Sequence, residues 1–386
     1  MRRNKVGIIT LHQVTNYGGI LQAYALQHVI CNLGYDVEVI EKSLFVKEPS
    51  AIKKVFLYVW RTFQKKVMHR KISIRKEKNQ NEKFTQWYEA AEYTMPFINK
   101  HIHHRYIKSF EEIHCEDYFA LVVGSDQIWR PIYTEDVDMR IEDAYLKFAK
   151  HMDIRRISYA PSFGSDVWEY TPKQTKECSE LLSLFDAVSC REDSGTEFCK
   201  KYLNYSTAIS VLDPTLLLKK EDYISLIGNY NEPLDGDLMC YVLDENDNVQ
   251  KVIDYISTTK NYKPFSVKAK AKNCASTSLY DRKQPPVERW LKGFSEAKFI
   301  ITDSFHACVF AIIFRKDFVV IANSDRGVAR YKSLLSKFDL EYRLIYEYNS
   351  EKINNILGRP MIVDEEEFSR MQQQSMGYLQ KSLLSQ

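Results

Sequence analysis

Short apolar runs alternate with helix-length segments along most of the chain. Lys5–Leu11, Asp36–Glu41, Phe119–Val123, Arg156–Ala160, Ala187–Cys190 and Ala208–Val211 read as strands. Each is a run of mostly β-branched or apolar residues bounded by a polar or glycine-containing corner. Between them the pattern predicts helices over Gly18–Asn32, closed by Gly34, and over Lys173–Leu184. After Asp213-Pro214 the alternation restarts. Strands are predicted at Leu238–Leu243, Pro264–Val267, Phe299–Thr302, Phe318–Ile321 and Arg343–Ile345. Helices are predicted at Asn248–Thr258, Val287–Ser295, Ser304–Phe314 and Tyr331–Lys337. Strands that alternate with helices in this way predict an α/β fold with mostly parallel sheets. We therefore expect one α/β domain over 1–213, a second over 214–364, and a polar helix over 365–386 that crosses back to the first.

One region breaks the alternation. Residues from about 45 to 112 read as a long, polar, helical insertion after the second strand. Formal charge over the whole chain is only +3, yet Lys53 to Lys83 holds eleven Lys/Arg against two Glu. Val55, Phe56, Tyr58, Trp60, Phe63, Val67 and Ile72 interleave with those charges. A basic amphipathic stretch suits an anionic membrane surface, and a solvated helix face has the same composition. No nucleic-acid motif accompanies it, so no nucleic-acid partner is expected. No run approaches the ~20 apolar residues of a membrane helix, and the basic start, Met1-Arg-Arg-Asn-Lys5, lacks the apolar region of a signal peptide. These features predict a cytoplasmic protein, with 53–83 as a peripheral contact at the inner face of the cytoplasmic membrane. Eight scattered cysteines without a C-x-x-C pair argue against a zinc or disulfide framework.

Polar residues recur just after the strands, at the edge where open α/β sheets bind ligands. The first half supplies Asn16, Tyr17 and Gly18, then Ser125, Asp126, Gln127 and Trp129, then Ser162 and Arg191. The second supplies Ser304, His306, Asn323, Arg326 and Arg330. His306 falls in the first turn of a helix, where free N–H groups and the dipole favour an anion. Ser304 or Asp303 is placed to cap that helix. Arg326 and Arg330 are four apart and share a face if helical, and guanidinium forks suit phosphate and carboxylate. Nucleotide-binding glycine motifs, a nucleophile elbow and H-E-x-x-H are absent, and no metal is expected. His101, His103 and His104 lie in a polar segment and read as surface residues.

Six stretches, in order, resemble the polysaccharide pyruvyl transferases. They are Asn16–Leu26 (NYGGILQAYAL), Val122–Trp129 (VVGSDQIW), Ile157–Gly164 (ISYAPSFG), Arg191–Gly195 (REDSG), Val211–Leu216 (VLDPTL) and Ile300–His306 (IITDSFH). The resemblance implies two Rossmann-like domains facing a cleft, similar to GT-B glycosyltransferases. It implies phosphoenolpyruvate as donor, no cofactor, and a glycan acceptor that is polyprenyl-linked or part of a cell-surface polysaccharide. The product would be a pyruvate ketal, with phosphate released. His306 aligns with the family's motif histidine and is assigned acid/base work or a phosphate contact. Ser304, Asn323, Arg326 and Arg330 fall on the donor side. Asn16, Tyr17, Gly18, Ser125, Asp126, Gln127, Trp129, Ser162 and Arg191 fall on the acceptor side. Many relatives carry Arg where this chain has Ser304; if that arginine binds the donor in them, the contact here comes from elsewhere. A nucleotide-sugar glycosyltransferase and a non-catalytic glycan-assembly protein are the alternatives.

Overall fold

The computed structural model describes residues 4–384 except 70–72, 74, 138, 272–276 and 323–326. Its frame is two five-stranded sheets. The first contains β1 (Lys5–Ile9), β2 (Asp36–Lys42), β3 (His104–Ile107), β4 (Ala120–Val123) and β5 (Arg155–Ser158), in the order β3-β2-β1-β4-β5. All its pairings are parallel. A short parallel pair, β6 (Ser189–Cys190) and β7 (Ile209–Ser210), continues it past β5 through a bridge from Ala187 to Ile157. The second sheet contains β8 (Leu238–Tyr241), β9 (Pro264–Phe265), β10 (Phe299–Thr302), β11 (Asp317–Ile321) and β12 (Leu344–Ile345), in the order β12-β11-β10-β8-β9. It too is parallel throughout. β4 and β10 are buried at every position, which is why β4 is an unbroken apolar run and β10 is apolar up to Thr302, whose hydroxyl is satisfied by Tyr241 O.

Each sheet has one place where strand order reverses: between β1 and β4 in the first, between β8 and β10 in the second. Both reversals are pinned by side chains. In the first, Gln22 donates from Nε2 to Thr10 Oγ1 (3.0 Å) and accepts from Ser125 N (2.9 Å). In the second, the Asp303 carboxylate accepts from Leu243 N (2.7 Å) and Asp244 N (2.9 Å).

Six helices position the polar edges of these sheets or extend from them: α1 (Tyr17–Asn32), α2 (Ala51–Lys66), α3 (Lys76–Ala90), α4 (Phe305–Ile313), α5 (Ala329–Ser336) and α6 (Glu365–Leu383). α1 and α4 leave the two reversal points, and one continuous apolar core joins their surroundings. α6 straps both halves. Arg315 grips Glu365 at its start (2.8 Å), while Ser375, Tyr378 and Ser382 bond Leu212, Ser158 and Arg155 of the first half. The segment after β2 is not helical throughout. It contains β3, an edge strand whose His104-Arg105-Tyr106 sequence carries no apolar run to announce it. Among the described residues no helix is long and apolar enough to cross a membrane.

Candidate functional site

α1 and α4 meet N-terminus to N-terminus. Ser304 caps α4, its hydroxyl 3.5 Å from Ala307 N, and Asn16 caps α1 by accepting from Gly18 N at 3.1 Å. His306, in the first turn of α4, lies directly over Gly18. A Cβ at position 18 would sit 2.1 Å from His306 Nδ1, so only glycine permits the approach. A second close approach lies nearby. Gly327, at φ +80°, would place a Cβ 2.1 Å from the Gly164 carbonyl oxygen. Ala329 N donates to Asp166 Oδ1 at 3.2 Å beside it. Two glycines from opposite halves thus set the spacing of the junction.

Charged side chains fill the space between these contacts. Arg191 donates to Asp213 Oδ2 (2.9 Å) and Asp126 Oδ1 (3.4 Å), and its guanidinium lies 4.3 Å from the centre of the Phe305 ring. Arg330, from α5, lies 5.6 Å from the same ring. His306 Nε2 stands 3.5 Å from Asp213 Oδ2, an ion-pair distance when the imidazole is protonated. Asp213 also accepts from Thr215 N and Oγ1. All four of Arg191, Asp213, His306 and Arg330 are buried. Burial alone would raise the Asp213 carboxyl; His306, Arg191 and Thr215 outweigh it and hold the group well below the usual carboxylate range. Burial disfavours the Arg330 charge, and Arg191 nearby adds to that, against Tyr331, Asp126 and Glu192. A guanidinium stays protonated regardless, so an arriving anion would relieve it. The cavity among Arg191, Asp213, Phe305 and Arg330 measures about 10 Å³, room for roughly one water.

The other predicted residues have different surroundings. Asn16 is exposed at the edge and free to meet a ligand beyond its capping bond. Gln127 is buried, and its Oε1 has no hydrogen-bond partner among the described residues. Ser125 and Ser162 are committed inside the first half: Ser125 Oγ donates to Ala160 O (2.8 Å) and Ser162 Oγ to Glu192 Oε1 (2.9 Å). Tyr17 and Trp129, expected on the acceptor side, are core residues. The Tyr17 hydroxyl donates to Pro285 O (2.7 Å) and Val267 O (3.2 Å) while its ring stacks on Trp290. Trp129 stacks on Tyr145 at 4.8 Å and donates to Ala144 O. Aromatics that also have a polar atom to satisfy are well suited to such junctions, so their place after a strand was no guide to exposure. Arg191, also expected with the acceptor, meets Phe305 of the second half instead, and Asp126 accepts from Arg191. Asn323 and Arg326 lie outside the described residues.

A second polar cluster was missed in the sequence. His12 Nδ1 is 2.5 Å from Glu41 Oε1, and His104 Nε2 is 3.2 Å from Glu41 Oε2. All three side chains are at least nine-tenths buried. His104, read as a surface residue, is the most enclosed; burial lowers its pKa, His12 adds to that, and Glu41 opposes it. The cluster sits where β1 and β2 end, and His12, Gln13 and Glu41 line a small cavity there with Phe110 and Met139. The signal that would have found it is a carboxylate, Glu41, near the end of a buried strand, with His104 two register positions away on β3. Among the described residues no group of His, Cys, Asp and Glu is arranged to hold a metal ion.

The family model for polysaccharide pyruvyl transferase matches residues 16–325. The chain belongs to that family. Membership indicates pyruvyl transfer to polysaccharide in general. No curated protein matches the sequence. Among solved structures the chain is similar to a UDP-GlcNAc 2-epimerase from Neisseria meningitidis, at 9% identity and TM-score 0.48, over 98% of this chain and 99% of that one. It is also similar to a glycosyltransferase from Rickettsia africae, at 10% identity and TM-score 0.47, over 98% and 94%. For this transferase family member, the junction around His306 is a buried place to which both halves contribute charge.

Proposed function

We propose that the protein transfers the pyruvyl group of phosphoenolpyruvate to a hexose of a cell-surface polysaccharide or of its lipid-linked repeat unit, forming a ketal and releasing phosphate. The observation that carries this reading is the meeting of Arg191, Arg330 and His306 at the start of α4. Two guanidiniums and a helix N-terminus suit a donor with both a phosphate and a carboxylate. The arginines also answer the donor contact missing at Ser304. In the reaction, a proton goes to the donor's methylene carbon and one sugar hydroxyl adds to the adjacent carbon. The second hydroxyl then displaces phosphate and closes the ring. We assign His306 to the proton on the donor side, with the ionised Asp213 carboxylate steadying the imidazolium. On the acceptor side we assign His12: Glu41 takes its Nδ1–H, which leaves Nε2 to accept a hydroxyl proton.

The test is turnover with phosphoenolpyruvate and candidate glycans, read as phosphate release together with gain of a pyruvyl mass. His306→Gln should lower turnover by about 10²-fold or more. Phosphoenolpyruvate should raise the thermal midpoint of the parent, and Arg330→Met should abolish that rise. Turnover with nucleotide sugars and none with phosphoenolpyruvate would overturn the reading.

A further inference from the structure

α2 is built inside out. None of its residues is buried. Ile52, Val55, Phe56, Val59, Trp60 and Phe63 recur at helical spacing and form one apolar stripe. That stripe faces solvent: Ile52 is 76% exposed, Phe56 74% and Val59 66%. Val67 and Met68 extend it beyond the helix end. The half-covered face is the other one, with Lys54, Leu57, Tyr58, Arg61 and Thr62. Arg61 there makes a two-pronged ion pair with Glu77 of α3 (2.6 and 2.7 Å). The helix is therefore held with its polar side inward, and its apolar side is what it offers.

We propose that α2 is an in-plane membrane anchor that lies on a bilayer containing anionic lipid. Its charge selects that partner. The helix has no acidic residue and presents Lys53, Lys65 and Lys66 to solvent, while Lys54 and Arg61 are paired with Glu48 and Glu77. A second copy of the chain docking stripe to stripe would bring these lysines against one another, whereas anionic headgroups complement them while the stripe enters the acyl boundary. The anchor's position gives it a use. β2 ends at the first sheet's carboxyl edge, and α3 is tied there: Gln80 donates to Leu44 O (3.2 Å) and Trp87 donates to Thr15 Oγ1 (2.9 Å), next to Asn16. Membrane contact through α2 sets the acceptor edge beside the bilayer. Delivery of a lipid-linked acceptor to that edge rests on the function proposed above; the membrane contact does not.

Vesicle binding needs no substrate, so it is tested separately from catalysis. The full-length protein should sediment with phosphatidylcholine vesicles containing phosphatidylglycerol and much less with phosphatidylcholine alone, and Trp60 emission should shift to the blue on binding. Phe56→Glu should lower partitioning at least tenfold. Replacing Lys53, Lys65 and Lys66 by Ser should lower it by about fivefold per lysine and remove its salt dependence. Both variants alter exposed residues, so an unchanged thermal midpoint confirms that folding is intact. Absence of vesicle binding by the parent would overturn the proposal. So would binding that survives Phe56→Glu, or a dimer in solution that Phe56→Glu dissociates while vesicles are ignored.

Discussion

At the junction of the two sheets, charged side chains are enclosed; on α2, large apolar ones face water. Arg191 and Asp213 have side chains 2% and 1% exposed, while Phe56 is 74% exposed. Each region reverses the ordinary partition of residues, in opposite directions, and each reversal has a different physical warrant. Buried charges persist only as a mutually compensating set, and here Asp126, Asp213 and Glu192 surround Arg191. An exposed apolar stripe needs no internal compensation because its partner lies outside the chain. Substitutions at the junction should therefore be felt by the fold, and substitutions on the stripe only by the partner.

The sharpest way to break that contrast is Arg191→Ala. It strands two buried carboxylates and should destabilise the protein by about 3–5 kcal/mol in urea unfolding. Phe56→Glu should stay within about 0.5 kcal/mol of the parent in the same measurement. Equal costs would dissolve the distinction. Next in size is Gly18→Ala. The added methyl overlaps His306 and must displace it or open the junction, at a cost of about 1–3 kcal/mol. Because His306 moves, turnover should fall further than the stability loss accounts for. A variant with parental turnover would show that His306 does its work without touching Gly18.

Much of the frame was legible in the sequence, and the reason is periodicity. A fully buried strand such as β4 is a continuous apolar run, and Phe299–Phe314 reads directly as strand, corner and helix. The capping choice at that corner was open in the sequence. The structure gives Ser304 the cap and sends Asp303 across to Leu243 and Asp244, a role that exists only once β8 lies beside β10. The same holds for Asp213. It follows a strand like many other polar residues, and nothing local marks it as the meeting point of Arg191 and His306. His104 was misjudged because an edge strand of His, Arg and Tyr has no apolar signature, although pairing with β2 buries the imidazole against Glu41. Tyr17 shows the converse error: its phenol satisfies two carbonyls of the other half, so a residue in a ligand-like position serves as a bolt.

The smallest effect concerns how α2 is held out. Its hydrogen bond to Arg61 lowers the Glu77 carboxyl to about 2, against the opposing effect of burial. A depressed folded-state pKa means that the pair's stabilisation is complete above the unfolded value, near 4.3. It is lost as pH falls from there through about 2. The pair is partly solvated, so it contributes no more than about 1 kcal/mol, and salt weakens it. Glu77→Gln removes the charge at every pH. At pH 7 the variant should therefore show the increased mobility of Trp60, read by fluorescence anisotropy, that the parent reaches only in acid, with the thermal midpoint nearly unchanged. The anisotropy step between pH 4.5 and 2 should also vanish in the variant. If Glu77→Gln leaves Trp60 as rigid as in the parent, the Arg61–Glu77 pair is not what turns the polar face of α2 inward, and other ties of that face, such as the Lys54–Glu48 pair and the half-covered Leu57 and Tyr58, hold the helix.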